Sequence, residues 1–161
     1  MLSITVIGDK ELIARFSAMP SKLHAALLRK VYELALKLEA HVKNDKLSGQ
    51  VLNHKSGNLW RSIQNHVTDG STSVTGKVYS AGDVKYAAIH EFGGHIPSHV
   101  IEAKNAKSLA FVMGGQMRFF KQVNWPGATM PERSFLRSSL SDMKDDIVTG
   151  LKEAAQEAVK E

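Results

Sequence analysis

Cysteine is absent from the 161 residues. That excludes a disulfide framework and thiolate metal sites, and it makes a reducing compartment the natural setting. Long apolar runs are missing too: no stretch approaches the roughly 20 residues that span a bilayer. No basic leader stands at the start, where Leu2, Ile4 and Val6 alternate with Ser3 and Thr5, so no secretory signal is expected. The expectation is a soluble protein made and kept in a cytoplasm, without membrane contact. Aromatic residues are only 7% of the chain, which argues against an extended base-stacking surface. Internal repeats, low-complexity tracts and linkers are also absent, so residues 1–161 are expected to form one domain.

What is present is globular in character. Hydrophobic residues make up 43% and charged residues 23%, and the length suffices to bury one core without covalent staples. The formal charge is +5 and the sequence pI is about 9.5, but the distribution is more informative than the sum. Lys22, Arg29, Lys30, Lys37, Lys43, Lys46, Lys55 and Arg61 crowd the first half. Asp142, Asp145, Asp146, Glu153, Glu157 and Glu161 crowd the end. Such an asymmetry reads either as two solvated helix faces, as complementary patches between neighbouring subunits, or as a basic surface facing DNA. Lys46 and Lys55 against Asp145 and Asp146 are the candidate subunit-interface residues.

Periodicity assigns the elements. Leu2 to Ile7 alternates as a strand, and Asp9 can cap a short helix over Lys10 to Ser17. Leu23, Leu27, Val31, Leu34, Leu38 and Val42 recur at spacings of three and four, which predicts one long amphipathic helix from Ser21 to Lys46. Leu47 to Asn58 has little periodicity and reads as a long, mobile loop that orders against a neighbour. Ile63 to Val67 and Val74 to Tyr79 form a hairpin around Asp69-Gly70-Ser71. Val84 to Phe92 is a short helix closed by Gly93-Gly94. Val100 to Lys104, Leu109 to Met113 and Met117 to Val123 read as strands, with Gly114-Gly115 in a tight turn. Trp125-Pro126-Gly127 is a further turn. A second long helix runs from Ser139 to about Val159 on the stripe Leu140, Met143, Ile147, Leu151, Ala154 and Ala158, with Gly150 a modest interruption. Helices flanking a run of short strands argue for an α+β fold with a largely antiparallel sheet, packed by a long helix in the N-terminal half and another at the C-terminus.

Candidate chemistry is sparse. His90-Glu91-Phe92-Gly93-Gly94-His95 invites comparison with the zinc-protease pattern His-Glu-x-x-His. That pattern needs two histidines one helical turn apart on one face. Here His95 is one residue too far along, two glycines end the helix, and Pro97 leaves His99 in extended chain. No serine stands in a Gly-x-Ser-x-Gly elbow, Gly114-Gly115 lacks the Lys-Ser/Thr of a phosphate-binding loop, and Asp145-Asp146 lies on the solvated face of a helix. Arg118-Phe119-Phe120-Lys121 interleaves cations and aromatics as stacking platforms do, but in a strand the two phenylalanines face opposite sides, so at least one is expected in the core. No catalytic residue, metal or cofactor is expected.

Three stretches carry a resemblance. Ser56-Gly57-Asn58-Leu59-Trp60-Arg61-Ser62-Ile63 is similar to a Thr/Ser-Gly-x-Leu-x-x-Ser-Ile pattern, read as a turn followed by the first hairpin strand. Tyr86-Ala87-Ala88-Ile89-His90-Glu91-Phe92-Gly93-Gly94 is similar to Tyr-Ala-x-x-x-Glu-Phe-Gly. Pro131-Glu132-Arg133-Ser134-Phe135-Leu136 is similar to Pro-x-Arg-Pro-Phe-Leu, with Ser134 in place of proline. In this order, between two long helices, they resemble the tail-completion or head–tail joining proteins of tailed bacteriophages, over about Ser21 to Val159. The motif residues are Gly57, Leu59, Ser62, Ile63, Tyr86, Ile89, Glu91, Phe92, Gly93, Gly94, Pro131, Arg133, Phe135 and Leu136. Their physical roles are structural. Gly57 permits a turn. Tyr86, Ile89 and Phe92 share a helix face that can dock on the sheet. Gly93 and Gly94 release the chain, Pro131 stops a strand, and Phe135 and Leu136 anchor the last helix.

The resemblance implies a non-enzymatic virion protein, a subunit of a hexameric ring at the head-proximal end of the tail. Such a ring would meet the tail tube or tail terminator on one side and the head connector on the other. DNA would pass through its lumen without sequence-specific binding. The alternatives are a small basic nucleic-acid-binding protein and, more distantly, a zinc hydrolase.

Overall fold

A computed structural model describes residues 2–5, 21–53, 56–104 and 106–160. The fold is α+β. Helix α1 spans Ser21–His41 and continues through one wider turn of π-helix, Val42–Lys46, closed where Leu47 N–H donates to Val42 O at 3.0 Å. Together they fill the predicted span. Leu27, Leu34 and Val42 of the expected stripe are buried, and Leu23, Val31 and Leu38 are half-buried. The short helix expected over Lys10 to Ser17 lies outside the described residues.

Strands β1 (Leu2–Thr5), β2 (Ile63–Asp69) and β3 (Val74–Ser80) form an antiparallel sheet in the order β1-β3-β2. Ile63 pairs with Ser80, Asn65 with Val78 and Val67 with Gly76, so alternation puts these residues on one face. Ile63, Val67 and Val78 are buried there under α1. A Cβ on Gly76 would stand 3.0 Å from Val31 Cγ1, so glycine lets the helix lie close on β3. From the same face Asn65 Nδ2 donates to Glu39 of α1.

Between the loop and β2 the chain makes a five-residue helix, α2 (Asn58–Ser62), where a turn running straight into a strand was expected. Gly57 starts it at φ 73°, and Arg61 N–H donates to Gly57 O at 2.9 Å. Helix α3 is Tyr86–Phe92. Its docked face differs from the expected one: Tyr86 is 43% and Phe92 53% exposed, whereas Ala87 and Glu91 are 2% and 0% exposed. The small alanine and the carboxylate face the core, and the aromatics lie on the rim.

Residues 94–130 then form a succession of antiparallel two-stranded ladders nested as one arm. Strand β4 (Gly94–Ile96) pairs with β9 (Ala128–Met130), β5 (His99–Glu102) with β8 (Gln122–Trp125), and β6 (Leu109–Met113) with β7 (Gln116–Phe120). The expected strand from Met117 to Val123 is thus two strands, parted at Lys121, while β4 and β9 are too short for a periodicity to reveal. Gly127 sits at φ 84° with its Cβ position 2.6 Å from Ile96 O, so only glycine fits between β8 and β9.

The last helical region starts three residues earlier than periodicity suggests and is broken at Met143, giving α4 (Leu136–Asp142) and α5 (Lys144–Lys160). Its apolar stripe faces inward, with Ala154 buried and Leu140, Met143, Ile147 and Leu151 half-buried. Helix α5 packs on α1, which therefore lies between α5 and the sheet. A Cβ on Gly150 would meet Lys30 Cδ at 3.6 Å and Leu34 Cδ2 at 3.8 Å, which are ordinary contacts. Gly150→Ala is therefore expected to stabilise the protein by about 0.5–1 kcal/mol, because alanine loses less backbone freedom in a helix. Urea unfolding measures it, and a destabilised variant would mean that α5 does not pack on Leu34 as described.

Candidate functional site

The three motif-bearing segments, distant in sequence, meet in one core. Val42 and Leu47 after α1, Leu59 and Ile63 from the first motif, Ala87 from the second, and Phe135 and Leu136 from the third cluster with Val78, and Leu38, Leu52, Trp60 and Val84 pack against them. Phe135 is 0% and Leu136 2% exposed, the anchoring role expected of them. Ser62 Oγ donates to Leu59 O at 2.7 Å and lies 2.8 Å from Ser80 Oγ, which satisfies two buried hydroxyls where α2 meets the sheet.

At the centre is Glu91, with no exposed surface. The amides of Phe135 and Leu136 donate to its Oε2 at 2.8 and 2.9 Å, and the amide of Arg137 to its Oε1 at 2.9 Å. Ser134 Oγ also donates to Oε1, at 2.8 Å, and accepts from Ser138 N at 3.2 Å. The first four amides of α4 lack partners within the helix. Glu91 and Ser134 satisfy all of them, and the carboxylate meets the positive end of the helix dipole. This N-cap is supplied from 45 residues away along the chain. Every partner is a donor, so the group must be ionised to accept them all.

Arg137 completes the arrangement. Its Nε lies 3.1 Å from Glu91 Oε1, and its Nη2 donates to Glu91 O at 2.7 Å and to Glu132 Oε1 at 2.8 Å. The guanidinium lies 4.6 Å from the centroid of Phe92, which accounts for that exposed ring. Burial raises the pKa of Glu91, but the amides of Leu136 and Arg137, the Ser134 hydroxyl and the Phe135 amide outweigh it, and the carboxyl lies below its usual range.

Other motif positions have backbone roles. Arg133 N–H donates to His90 O at 2.8 Å, while its side chain is exposed; the cation that reaches Glu91 is Arg137 instead. Gly93 closes α3 at φ 66°, and a Cβ there would stand 2.8 Å from Glu132 N. Gly94 lies at φ 139° with its Cβ position 3.3 Å from Ile89 Cδ1. Pro131 follows β9 directly. His90 is held below its normal pKa by burial and then by the charge of Arg133, and its Nδ1 has no hydrogen-bond partner among the described residues. His95 lies on β4 near Thr129 and His99 beside Trp125, so the histidines do not converge. No group of three metal-ligating side chains is found among the described residues, and no helix among them is long and apolar enough to cross a membrane.

The candidate interface residues divide. Lys46 Nζ lies 2.6 Å from Asp142, and its side chain is 12% exposed. It serves an internal link, joined by His41, which contacts both Asp45 and Asp142. Lys30 and Lys37 pair with Glu33, and Lys43 with Glu39; hydrogen bonds from Lys30 and then Lys37 pull the Glu33 carboxyl down to about 2. Four of the eight cations of the expected basic face, Lys30, Lys37, Lys43 and Lys46, are therefore paired within the subunit. Lys55 lies outside the described residues. Asp145 and Asp146 are exposed at the start of α5. The loop expected to be mobile is docked in its first half: Leu47 is 1% exposed, Ser48 bridges Asn53, and Val51 and Leu52 donate to Lys46 O at 3.1 and 3.0 Å.

Replacing Glu91 by Gln should destabilise the protein by about 3 kcal/mol at neutral pH, because an amide leaves buried donors unsatisfied. The depressed carboxyl pKa gives a sign to the pH dependence. The carboxylate's contribution is complete above the pKa of the unfolded chain and is lost as pH falls through the folded value. Wild type should therefore lose stability toward acid more steeply than Glu91→Gln; parallel curves in urea unfolding would contradict the cap. Gly93→Ala, in contrast to Gly150→Ala, should destabilise by about 2 kcal/mol or more, since both φ and the space beside Glu132 oppose a side chain. A stability within error of wild type would mean that this turn is not held as described.

No protein-family model, no curated protein and no solved structure matches the chain.

Proposed function

We propose that the chain is a structural, non-enzymatic virion protein: one subunit of a hexameric ring that completes the head-proximal end of a phage tail. The ring would seat on the tail tube or terminator, meet the head connector and let DNA pass through its lumen. The observation that carries this reading is the junction at Glu91. Segments similar to three motifs of the tail-completion family contribute to one buried construction there, and the contribution of each is positional. Glu91, the residue that invites a hydrolase reading, has both carboxylate oxygens engaged by donors and no exposed surface. It is placed to hold a helix rather than to activate water.

A second reading is nucleic-acid binding, favoured by one observation. Phe119 is 68% exposed beside the exposed Arg118 and Lys121, whereas the sequence pattern suggested that at least one of Phe119 and Phe120 would be core; Phe120 is only half-buried.

Mass measurement and negative-stain imaging separate the two. The purified chain, alone or mixed with tail tubes, should form rings that cap one tube end. Asp145→Lys with Asp146→Lys should weaken ring formation, most at low salt where screening is least. A chain that stays monomeric with tubes, while binding duplex DNA with an affinity that falls steeply in log salt, would replace the ring by the second reading.

A further inference from the structure

The arm has a feature that the body of the protein lacks. No residue from 94 to 130 is buried among those described. At its tip, β6 and β7 pair with each other and with no other described strand. The register sorts their side chains. Ala110 opposes Phe119 and Val112 opposes Met117, so these four share one face. All are exposed, with Val112 at 70%, Phe119 at 68% and Met117 at 61%. The opposite face has Arg118, Gln116 and an internal contact between Phe111 and Phe120, with ring centroids 6.3 Å apart. One face of the tip is thus wholly apolar and exposed. A two-stranded hairpin is at best marginally stable by itself, and a contiguous apolar patch of this kind marks a contact surface.

Charge indicates what covers it. Lys104, Lys107, Arg118 and Lys121 flank the tip, are exposed and take part in none of the ion pairs of the described residues. The same holds for Asp145, Asp146, Glu153 and Glu157 on α5, four acids against two exposed lysines of that helix, Lys144 and Lys152. Val148 lies on that helix, 41% exposed, and Tyr32 and Leu36 of the adjoining α1 are 47% and 58% exposed. The chain therefore bears a basic apolar projection and, elsewhere, a helix with an excess of exposed acids in a layer that has exposed apolar side chains of its own.

The geometry points to the β6–β7 tip as an assembly arm that docks on the α1–α5 layer of a second copy of this chain. The inference rests on the proposed self-assembly and adds the elements that make it. The contact is heterologous, arm to body, as a closed ring requires. Phe119, Val112 and Met117 would cover the apolar side chains of the layer, while the four arm cations meet the acids of α5. Val112 and Met117 have no π-face to stack on bases, which favours a protein occupant over nucleic acid.

Because the chain has no cysteine, the contact can be trapped by introduced ones. Full-length protein carrying Met117→Cys is mixed with protein carrying Val148→Cys under mild oxidation. A mixed disulfide in large excess over the homodimers of either variant is expected, decreasing as salt rises. In parallel, Val112→Ser with Phe119→Ser should fold normally, since neither side chain is buried, yet self-associate about tenfold or more weakly than wild type. Assembly of that variant at wild-type concentration, or rings without the mixed disulfide, would overturn the arm while leaving the ring reading intact. Arm-dependent assembly that never caps tail tubes would remove the tail reading and leave the arm. A wild-type chain that stays monomeric while its arm binds duplex DNA or anionic phospholipid vesicles would also overturn the second-copy assignment.

Discussion

The structure depends on one buried carboxylate. Glu91 faces a core made by three separate segments, where an ionised group is tolerated only if its lone pairs are filled. They are filled by the start of α4 and by Ser134 and Arg137. The consequence runs both ways. The helix end, which would otherwise bury unsatisfied amides, has its cap, and α3 is fixed against α4. Phe135 and Leu136 are then held beneath α2 and the sheet. Gly93 must follow at once, because the chain has to leave past Glu132 without room for a side chain. Glutamate, glycine and the Ser134 turn are therefore one device, and the local geometry of each is set by the other two.

Ser134 shows what a side-chain donor adds at this position of the turn. A proline there would have no donor to offer. The serine hydroxyl gives one hydrogen bond to Glu91 and takes one from Ser138, so it joins the cap rather than merely stiffening the turn. The charge distribution is likewise settled by packing. Lys30, Lys37, Lys43 and Lys46 of α1 and its π-turn find carboxylates one turn away or on Asp142. Those surface pairs contribute little stability each, and they neutralise only part of the basic face that the linear sequence suggests, since Lys22, Arg29 and Arg61 take part in none. Among the described residues the four arm cations, like Lys22 and Arg29 of α1, take part in no ion pair.

Long periodic segments were legible in the sequence. The stripe from Leu23 to Val42 and the one from Leu140 to Ala154 both face inward, and Gly57, Gly93 and Gly114-Gly115 mark the turns that they imply. Short elements were not. Strands β4 and β9 have three residues each, too few to display alternation, and α2 has five. The face of α3 was misjudged for a clear reason: hydrophobicity ranks Tyr86 and Phe92 above Ala87 and Glu91, but Phe92 is occupied by Arg137 at the rim and Glu91 has donors in the core. Likewise Leu47 begins a polar stretch yet is buried, because it closes the π-turn and joins the core cluster.

The sequence by itself determined the class of fold, the two long helices, the central hairpin and the three segments that matter, since these follow from periodicity and from backbone limits on glycine and proline. Only the tertiary structure decided that those segments meet, that Glu91 is a remote helix cap, that Arg137 rather than Arg133 reaches it, and that the exposed apolar surface lies on an arm. The physical reason is the same in each case. A pattern along a chain reports which residues prefer water, whereas a hydrogen-bond donor 45 residues away, or an apolar side chain left exposed, is a property of three-dimensional placement.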